Sequence, residues 1–209
     1  MTNEALAIAI VIIGAYLLGS IPFPYIVGRL KKGIDIRQVG SRNMGAMNTF
    51  YNVGIASGFL VLAADVGKGA AAMALAQWLS DSSLVMFFAG ATVVLGHNFP
   101  VWLKFKGGKG GAPLVGVFIY LMPWGIPIGL SIFFVLLYLT RFPTLSYSIA
   151  LLCFPFIAWL IHHNGDYVIF SLLMLLIPFV RYIPRIREMR AKGGSWSRVV
   201  KRRDLKDRL

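Results

Sequence analysis

Between Gly96 and Ala112 the chain reads Gly96-His97-Asn98-Phe99-Pro100-Val101-Trp102-Leu103-Lys104-Phe105-Lys106-Gly107-Gly108-Lys109-Gly110-Gly111-Ala112. Three lysines and five glycines stand here between two strongly apolar segments. Glycine lets the backbone take left-handed conformations and turn its N–H groups towards one point. Lysine adds a point positive charge to the same place. That combination suits a phosphate or another anion. It is not a nucleotide P-loop, which closes on Gly-Lys-Ser/Thr after a strand. Here Lys109 is followed by Gly110 and no strand pattern precedes it, so ATP hydrolysis is not expected.

Two other stretches carry polar chemistry. Gly40-Ser41-Arg42-Asn43-Met44-Gly45-Ala46-Met47-Asn48 is dense in small residues and amides and reads as a structured loop. Asp65-Val66-Gly67-Lys68-Gly69 puts two charges inside an apolar run, which is costly unless they face protein, water or a ligand. Asp65 and Lys68 could pair across one helix turn, or Lys68 could face the ligand. His97 ends an apolar segment; at such a position histidine is either structural or chemical. His162 and His163 are adjacent, point to different helix faces and read as a turn. There is no Cys pair and no metal-ligand spacing, so neither a metal site nor a cofactor is expected. The lone Cys153, in an apolar run, reads as packing.

The elements that position these residues follow from composition. The chain has 209 residues, 57% of them hydrophobic, and a mean hydropathy of +0.72, too apolar for an ordinary soluble domain. Apolar runs fill windows of about 15–20 residues, near the length needed to cross a bilayer as a helix. We expect an all-α, polytopic integral membrane bundle of about seven transmembrane helices, with six as the alternative. The spans are placed at Ala5–Val27, Val53–Leu79, Ser83–Leu95, Pro113–Met122, Gly125–Leu139, Thr144–Ile161 and Tyr167–Tyr182. Pro22 and Pro24 should bend or stop the first. The Asp65–Gly69 charges suggest that the second is broken or short.

Net charge is +13, with eleven of the 21 Lys and Arg after Val180 and five between Arg29 and Arg42. In a soluble protein this would point to nucleic acid. In a membrane protein it follows from basic loops staying in the cytoplasm, and no nucleic-acid partner is expected. The segments around Asp81, Pro123 and Asn164 hold no Lys or Arg, so the N-terminus is placed outside and the C-terminus in the cytoplasm. Residues 1–183 read as the membrane domain and 184–209 as a basic cytoplasmic tail, with a joint at Gly193-Gly194-Ser195. In that tail Trp196, Val199, Val200, Leu205 and Leu209, flanked by Arg198, Lys201, Arg202, Arg203 and Lys206, could form a helix lying on anionic lipid; the alternative is a solvated tail. On this topology the Ser41 loop, Lys68, His97 and the glycine loop all face the cytoplasm. Their convergence would make a phosphate site. The positive-inside rule alone explains the lysines but not two loops rich in small polar residues.

These blocks carry a resemblance. Gly19-Ser20-Ile21-Pro22-Phe23, then Gly40-Ser41-x-Asn43-x-Gly45-Ala46-x-Asn48, Lys68-Gly69, and Gly96-His97-x-Phe99-Pro100 with Phe105-Lys106-Gly107-Gly108-Lys109-Gly110 resemble the bacterial acyl-phosphate:glycerol-3-phosphate acyltransferase family, PlsY, from about Ala5 to Tyr182. The resemblance implies a multi-pass enzyme of the bacterial inner membrane. It would transfer a fatty acyl group from acyl phosphate to the 1-hydroxyl of glycerol 3-phosphate, giving lysophosphatidic acid and phosphate. A peripheral acyl-carrier-protein-dependent enzyme could supply the acyl phosphate. By motif match, Ser41 and Lys109 would hold phosphate with the loop from Gly107 to Gly110 around it, and His97 and Asn48 would line or brace the site. Ser41, His97 and Lys109 carry the catalytic roles. Arg42, Asn43, Asn48, Lys68, Lys104, Lys106, Gly107, Gly108 and Gly110 are assigned to substrate binding. The family usually reads Gly-Ser-Gly-Asn and Ala-Thr-Asn where Arg42 and Met47 intervene here. Its arginine three residues after the last asparagine is Tyr51. Its Arg-His-x-x-Asn-Ile is Arg181-Tyr182-Ile183-Pro184-Arg185-Ile186, and a threonine is Pro113. Arg42 could supply the missing positive charge.

Acyl phosphate is already activated, so the protein need only place two anions and neutralise the one that leaves. The hydroxyl proton needs an acceptor: a substrate phosphate, with a second pKa of about 6, or His97. The only carboxylates near the loops are Asp35 and Asp65. Three rival readings remain: a divergent paralogue that uses another phosphorylated acceptor, a carrier for a phosphorylated solute, and a non-catalytic binder of phosphorylated solutes or lipids.

Overall fold

The structure, a computed structural model, describes residues 4–200. They form helices Glu4–Ser20 (α1), Phe23–Lys32 (α2), Ala46–Asn52 (α3), Ile55–Leu79 (α4), Ser83–Asn98 (α5), Gly111–Leu121 (α6), Gly125–Thr140 (α7), Pro143–Ala150 (α8), Cys153–Leu160 (α9), Gly165–Gly193 (α10) and Trp196–Val200 (α11). A single 3-10 turn spans Val101–Leu103, and no strand occurs among the described residues. The described residues divide into two compact units, one ending at Leu121 and the other beginning at Met122.

In the first unit α4 packs against α1, α3, α5 and α6, and α1 packs along α5. On α1, Ala7, Val11 and Ala15 are buried while Leu6, Ile10, Ile13 and Leu17 are exposed. The exposed positions recur at helical spacing. They form a stripe of large apolar side chains that water would penalise and lipid would accept. The buried face is small because the helices approach closely. A methyl added to Gly19 would strike the Val93 carbonyl, and one added to Gly116 the Val66 carbonyl, the close packing that small residues permit between membrane helices.

Five helical stretches among the described residues are long and apolar enough to cross a bilayer: Glu4–Lys32, Ile55–Leu79, Ser83–Leu103, Pro143–Leu160 and Gly165–Gly193. Two shorter apolar helices are α6 and α7. The expected helical membrane bundle is therefore present. As the prolines required, the first stretch is interrupted between Ser20 and Phe23.

Several expected boundaries need correction. The break expected inside Val53–Leu79 is absent: α4 runs unbroken for 25 residues. The charges within it are neutralised inside the protein, so the backbone has no reason to open. The span expected over Thr144–Ile161 is present as Pro143–Leu160, with a turn at Leu151–Leu152 that divides it into α8 and α9.

In the second unit α7 packs on α8 and α9, α9 on α10, and α10 on α11. The division expected at residue 183 falls inside α10, which continues through Pro178 and Pro184 to Gly193. Gly194, with φ of 71°, ends it. Val199 of α11 is buried with Met189 and Phe142, while Trp196 is exposed and the Arg190 guanidinium lies 5.5 Å from its ring. Of the lipid-facing set expected in the tail, Val199 thus packs on protein. Leu205, Leu209, Lys201, Arg202, Arg203 and Lys206 lie outside the described residues.

Candidate active site

All of the candidate site residues belong to the first unit. The Ser41 loop joins α2 to α3 and is held from beneath by Asn48, which is 2% exposed. The Asn48 amide nitrogen donates to the Ile36 and Val39 carbonyls at 2.8 and 3.0 Å. Its oxygen accepts from the Ser41 N–H at 3.1 Å and from the Asn52 amide at 2.8 Å. The Asn48 side chain is thus occupied by protein partners and acts as a brace. Ser41 and Arg42, above it, are exposed, and Asn43 is half-buried. Arg42 holds a φ of 57°, a left-handed conformation that favours glycine and costs a larger residue roughly 1–2 kcal/mol.

A second brace lies at the loop's entrance. Arg37 donates to both oxygens of Asp35, at 3.0 and 2.8 Å, and to the Leu103 carbonyl at 3.4 Å. It thereby ties the Ser41 loop to the turn that precedes the glycine loop. The Arg37 hydrogen bond holds the Asp35 carboxyl below its ordinary value, against a smaller opposing effect of burial. A depressed carboxylate stabilises the fold above its unfolded pKa and loses that contribution as pH falls through the folded value. Asp35→Asn should therefore cost about 1–2 kcal/mol at neutral pH and raise KM for the phosphorylated acceptor. The stability difference between Asp35→Asn and the parent should shrink at the acid end, below the ordinary carboxylate range. Thermal unfolding as a function of pH checks this.

The glycine loop folds back onto the end of α5. The Gly107 N–H donates to the Asn98 carbonyl at 3.2 Å and the Gly108 N–H to the His97 carbonyl at 3.0 Å. A methyl added to Gly108 would collide with His97 Nε2 on one side and the Met44 carbonyl on the other. Gly108 therefore fills the contact between the histidine ring and the Ser41 loop, and only a residue without a side chain fits there. Gly108 and Gly110 are buried, Gly107 and Lys109 half-buried, Lys104 and Lys106 exposed. Gly110, with φ of 86°, delivers the chain into α6.

Behind this surface lies a buried ionic cluster. Lys68 Nζ is 2.7 Å from Asp65 Oδ1, 2.9 Å from His97 Nδ1 and 3.1 Å from the Ile21 carbonyl that it bonds. Asp65 Oδ1 is also 3.5 Å from His97 Nδ1. Asp65, Lys68 and His97 are 0%, 3% and 3% exposed. Asp65 and Lys68 form a buried ion pair across one helix turn. Of the two alternatives for Lys68, pairing across the turn is the one the structure adopts. The Ile21 carbonyl is available to it because Pro22 interrupts the helix there.

The structure thus brings together His97, Lys68 and Gly108, with the Ser41 loop meeting them at Met44. Lys104 and Lys106 take no part in these contacts. Sequence reasoning missed the partnership of Asp65 with His97, which spans 32 positions and has no local signal. It also missed Asn98, fully buried with a side-chain amide lacking any hydrogen-bond partner among the described residues.

Residues 9–192 match the family model described as glycerol-3-phosphate acyltransferase. The chain belongs to this family. It is a membrane acyltransferase. It is 53% identical, over 99% of its own length and all of the relative's, to glycerol-3-phosphate acyltransferase 2 of Dehalococcoides mccartyi. It is 41% identical to the glycerol-3-phosphate acyltransferase of Bacillus subtilis, over 81% of this chain and 88% of that one. Its fold matches the crystal structure of PlsY, an integral membrane glycerol 3-phosphate acyltransferase, in its glycerol 3-phosphate form. The TM-score is 0.81 and the identity 30%, covering 90% of this chain and 92% of that one. The lysophosphatidic acid form of the same enzyme matches with a TM-score of 0.79 at 29% identity, over the same shares of the two chains. The resemblance carried by the glycine loop and the Ser41 loop is thereby confirmed at the level of the family.

Proposed function

We propose that this chain transfers a fatty acyl group from acyl phosphate to the 1-hydroxyl of glycerol 3-phosphate, releasing lysophosphatidic acid and inorganic phosphate. The observation that carries the reading is the seating of Gly108 between the His97 ring and the Met44 carbonyl. It brings the glycine loop and the Ser41 loop into contact, with Lys109 next in the chain. The hydroxyl oxygen attacks the acyl carbonyl carbon. The bond from that carbon to the phosphate oxygen breaks, and phosphate leaves with the electron pair. Lys109 stabilises the leaving charge, with the loop N–H groups that follow Gly108, since those of Gly107 and Gly108 bond the Asn98 and His97 carbonyls, while Ser41 and Asn43 hold phosphate from the facing loop. The hydroxyl proton passes to a substrate phosphate oxygen. Asp35 is unsuited to that task because Arg37 holds both its oxygens. Asp65 is unsuited because it is fully buried behind Lys68.

The enzyme sits in the bacterial inner membrane as a multi-pass protein of seven spans, N-terminus outside and C-terminus in the cytoplasm. The basic loops described above support that orientation. A peripheral acyl-carrier-protein-dependent enzyme supplies the acyl phosphate. Lys104 and Lys106, exposed on the glycine loop, draw the anionic substrates to it.

Arg42 contributes positive charge on the acceptor side. Its left-handed φ gives this a test. Arg42→Gly should relieve about 1 kcal/mol of strain and raise Tm, yet raise KM for glycerol 3-phosphate several-fold. A variant that gains stability with unchanged KM would remove Arg42 from acceptor binding. The function itself is tested with purified protein, acyl phosphate and radiolabelled glycerol 3-phosphate, run also with other polyol phosphates. Lipid product from glycerol 3-phosphate supports the proposal. Product only from another acceptor points to a divergent specificity. Uptake into liposomes without product would support a carrier, and saturable binding alone a non-catalytic binder.

A further inference from the structure

The buried cluster behind the glycine loop decides which ring nitrogen of His97 carries its proton. We infer that Asp65 and Lys68 are positioning residues that lock His97 in the tautomer protonated at Nε2. His97 then serves the glycine-loop site as a hydrogen-bond donor and not as the base for the acceptor hydroxyl. The inference rests on the functional reading above for its site, but its central claim concerns a proton position that exists without substrate.

The argument begins with the ammonium. Lys68 Nζ has three acceptor atoms within 3.1 Å: Asp65 Oδ1, His97 Nδ1 and the Ile21 carbonyl. A lysine ammonium has three donors and no acceptor. A neutral amine could instead accept the Nδ1–H on its lone pair, so charge and not contact number separates the two states. The buried Asp65 carboxylate requires a cation beside it, and it lies 2.7 Å from Lys68 Nζ but 3.5 Å from His97 Nδ1; the ordinary pKa of lysine, about 10.4, also exceeds that of histidine, about 6.5. With the cation on Lys68, His97 Nδ1 can only accept, so the ring proton resides on Nε2. Nε2 is the atom that a methyl on Gly108 would strike, so it lies against the glycine loop. A neutral imidazole donating from Nε2 would present a hydrogen-bond donor to the glycine-loop site. It has no free lone pair on that face with which to take a proton.

Two measurements decide it. The first is nitrogen-15 NMR of histidine-labelled full-length protein in lipid nanodiscs, with His97→Gln used to assign the His97 signals. The expected spectrum has an unprotonated Nδ1 and a protonated Nε2, with and without glycerol 3-phosphate. Lys68→Met should redistribute the proton between the two nitrogens. A His97 protonated at Nδ1, or at both nitrogens, overturns the inference. The second is activity. Glutamine places an amide N–H near the position of Nε2 but cannot serve as a general base. His97→Gln should lose about tenfold, and His97→Ala more than about 100-fold. Equal inactivity of the two, with His97→Gln folded by thermal unfolding, would restore His97 as the base and sink the inference. Should the parent protein make no lipid product from any phosphorylated acceptor, the functional reading fails, and the NMR result still decides the tautomer.

Discussion

Lys109→Ala is expected to lower kcat by about 10²- to 10³-fold while leaving Tm within about 2 °C of the parent. The magnitude is that of removing one donor from a preorganised anion site. Lys109 is half-buried between the buried Gly108 and Gly110, so its charge is partly withdrawn from water and acts at reduced screening. Its stability contribution should be small for the same geometric reason: the loop is anchored by the Gly107 and Gly108 main-chain bonds to Asn98 and His97, which the substitution leaves untouched. Lys104→Ala and Lys106→Ala provide the comparison. Both lysines are exposed, so their substitution should raise KM several-fold, with a dependence that salt weakens. Release of phosphate and formation of lipid product, followed separately, would show whether Lys109 acts on the leaving group. Near-normal kcat in Lys109→Ala would remove that lysine from the mechanism.

How much of this was legible in the sequence depended on the range of the interaction. The apolar runs announced the helices, because burial in lipid leaves a pattern in every window of the chain. The Ser41 and glycine loops were legible because small residues and lysines are concentrated there against an apolar background. Pro22 marked the interruption between α1 and α2, since proline acts on its immediate backbone. By contrast, Asp65 and Lys68 suggested a broken span when α4 is continuous. A charge's effect on its own helix is local, whereas the partners that satisfy it, His97 and the Ile21 carbonyl, lie far away in the sequence. For Asn48 the sequence leaves lining and bracing open; four hydrogen bonds to Ile36, Val39, Ser41 and Asn52 give it the bracing role, and nothing in its sequence neighbours distinguishes the two. Gly69 and Gly116 matter for a reason that no single stretch contains. Each admits a backbone carbonyl of the other's helix, Pro113 of α6 and Val66 of α4.

Asp65→Leu should be the most damaging single substitution for stability, at about 3–5 kcal/mol, because it leaves the Lys68 ammonium buried without its counter-charge. The same logic predicts that the loss is largely reversible. In Asp65→Leu with Lys68→Met, both charges are replaced by apolar side chains of comparable length, and the desolvation penalty disappears with them. That double variant should return to within about 1–2 kcal/mol of the parent. Activity should not return with it. The apolar pair makes no hydrogen bond to His97 Nδ1, so the ring loses the contact that sets its orientation against Gly108. A misplacement of about 1 Å at a reacting centre is enough for a loss of about 100-fold. The cluster would then be separable into a structural part, which any well-packed pair can satisfy, and a functional part, which requires the lysine. Thermal unfolding in detergent and initial rates on the same four proteins measure both parts in one double-mutant cycle. If the two substitutions simply add in stability, the charges are not acting as a pair. If activity recovers along with stability, the cluster serves only to hold α4 against α5.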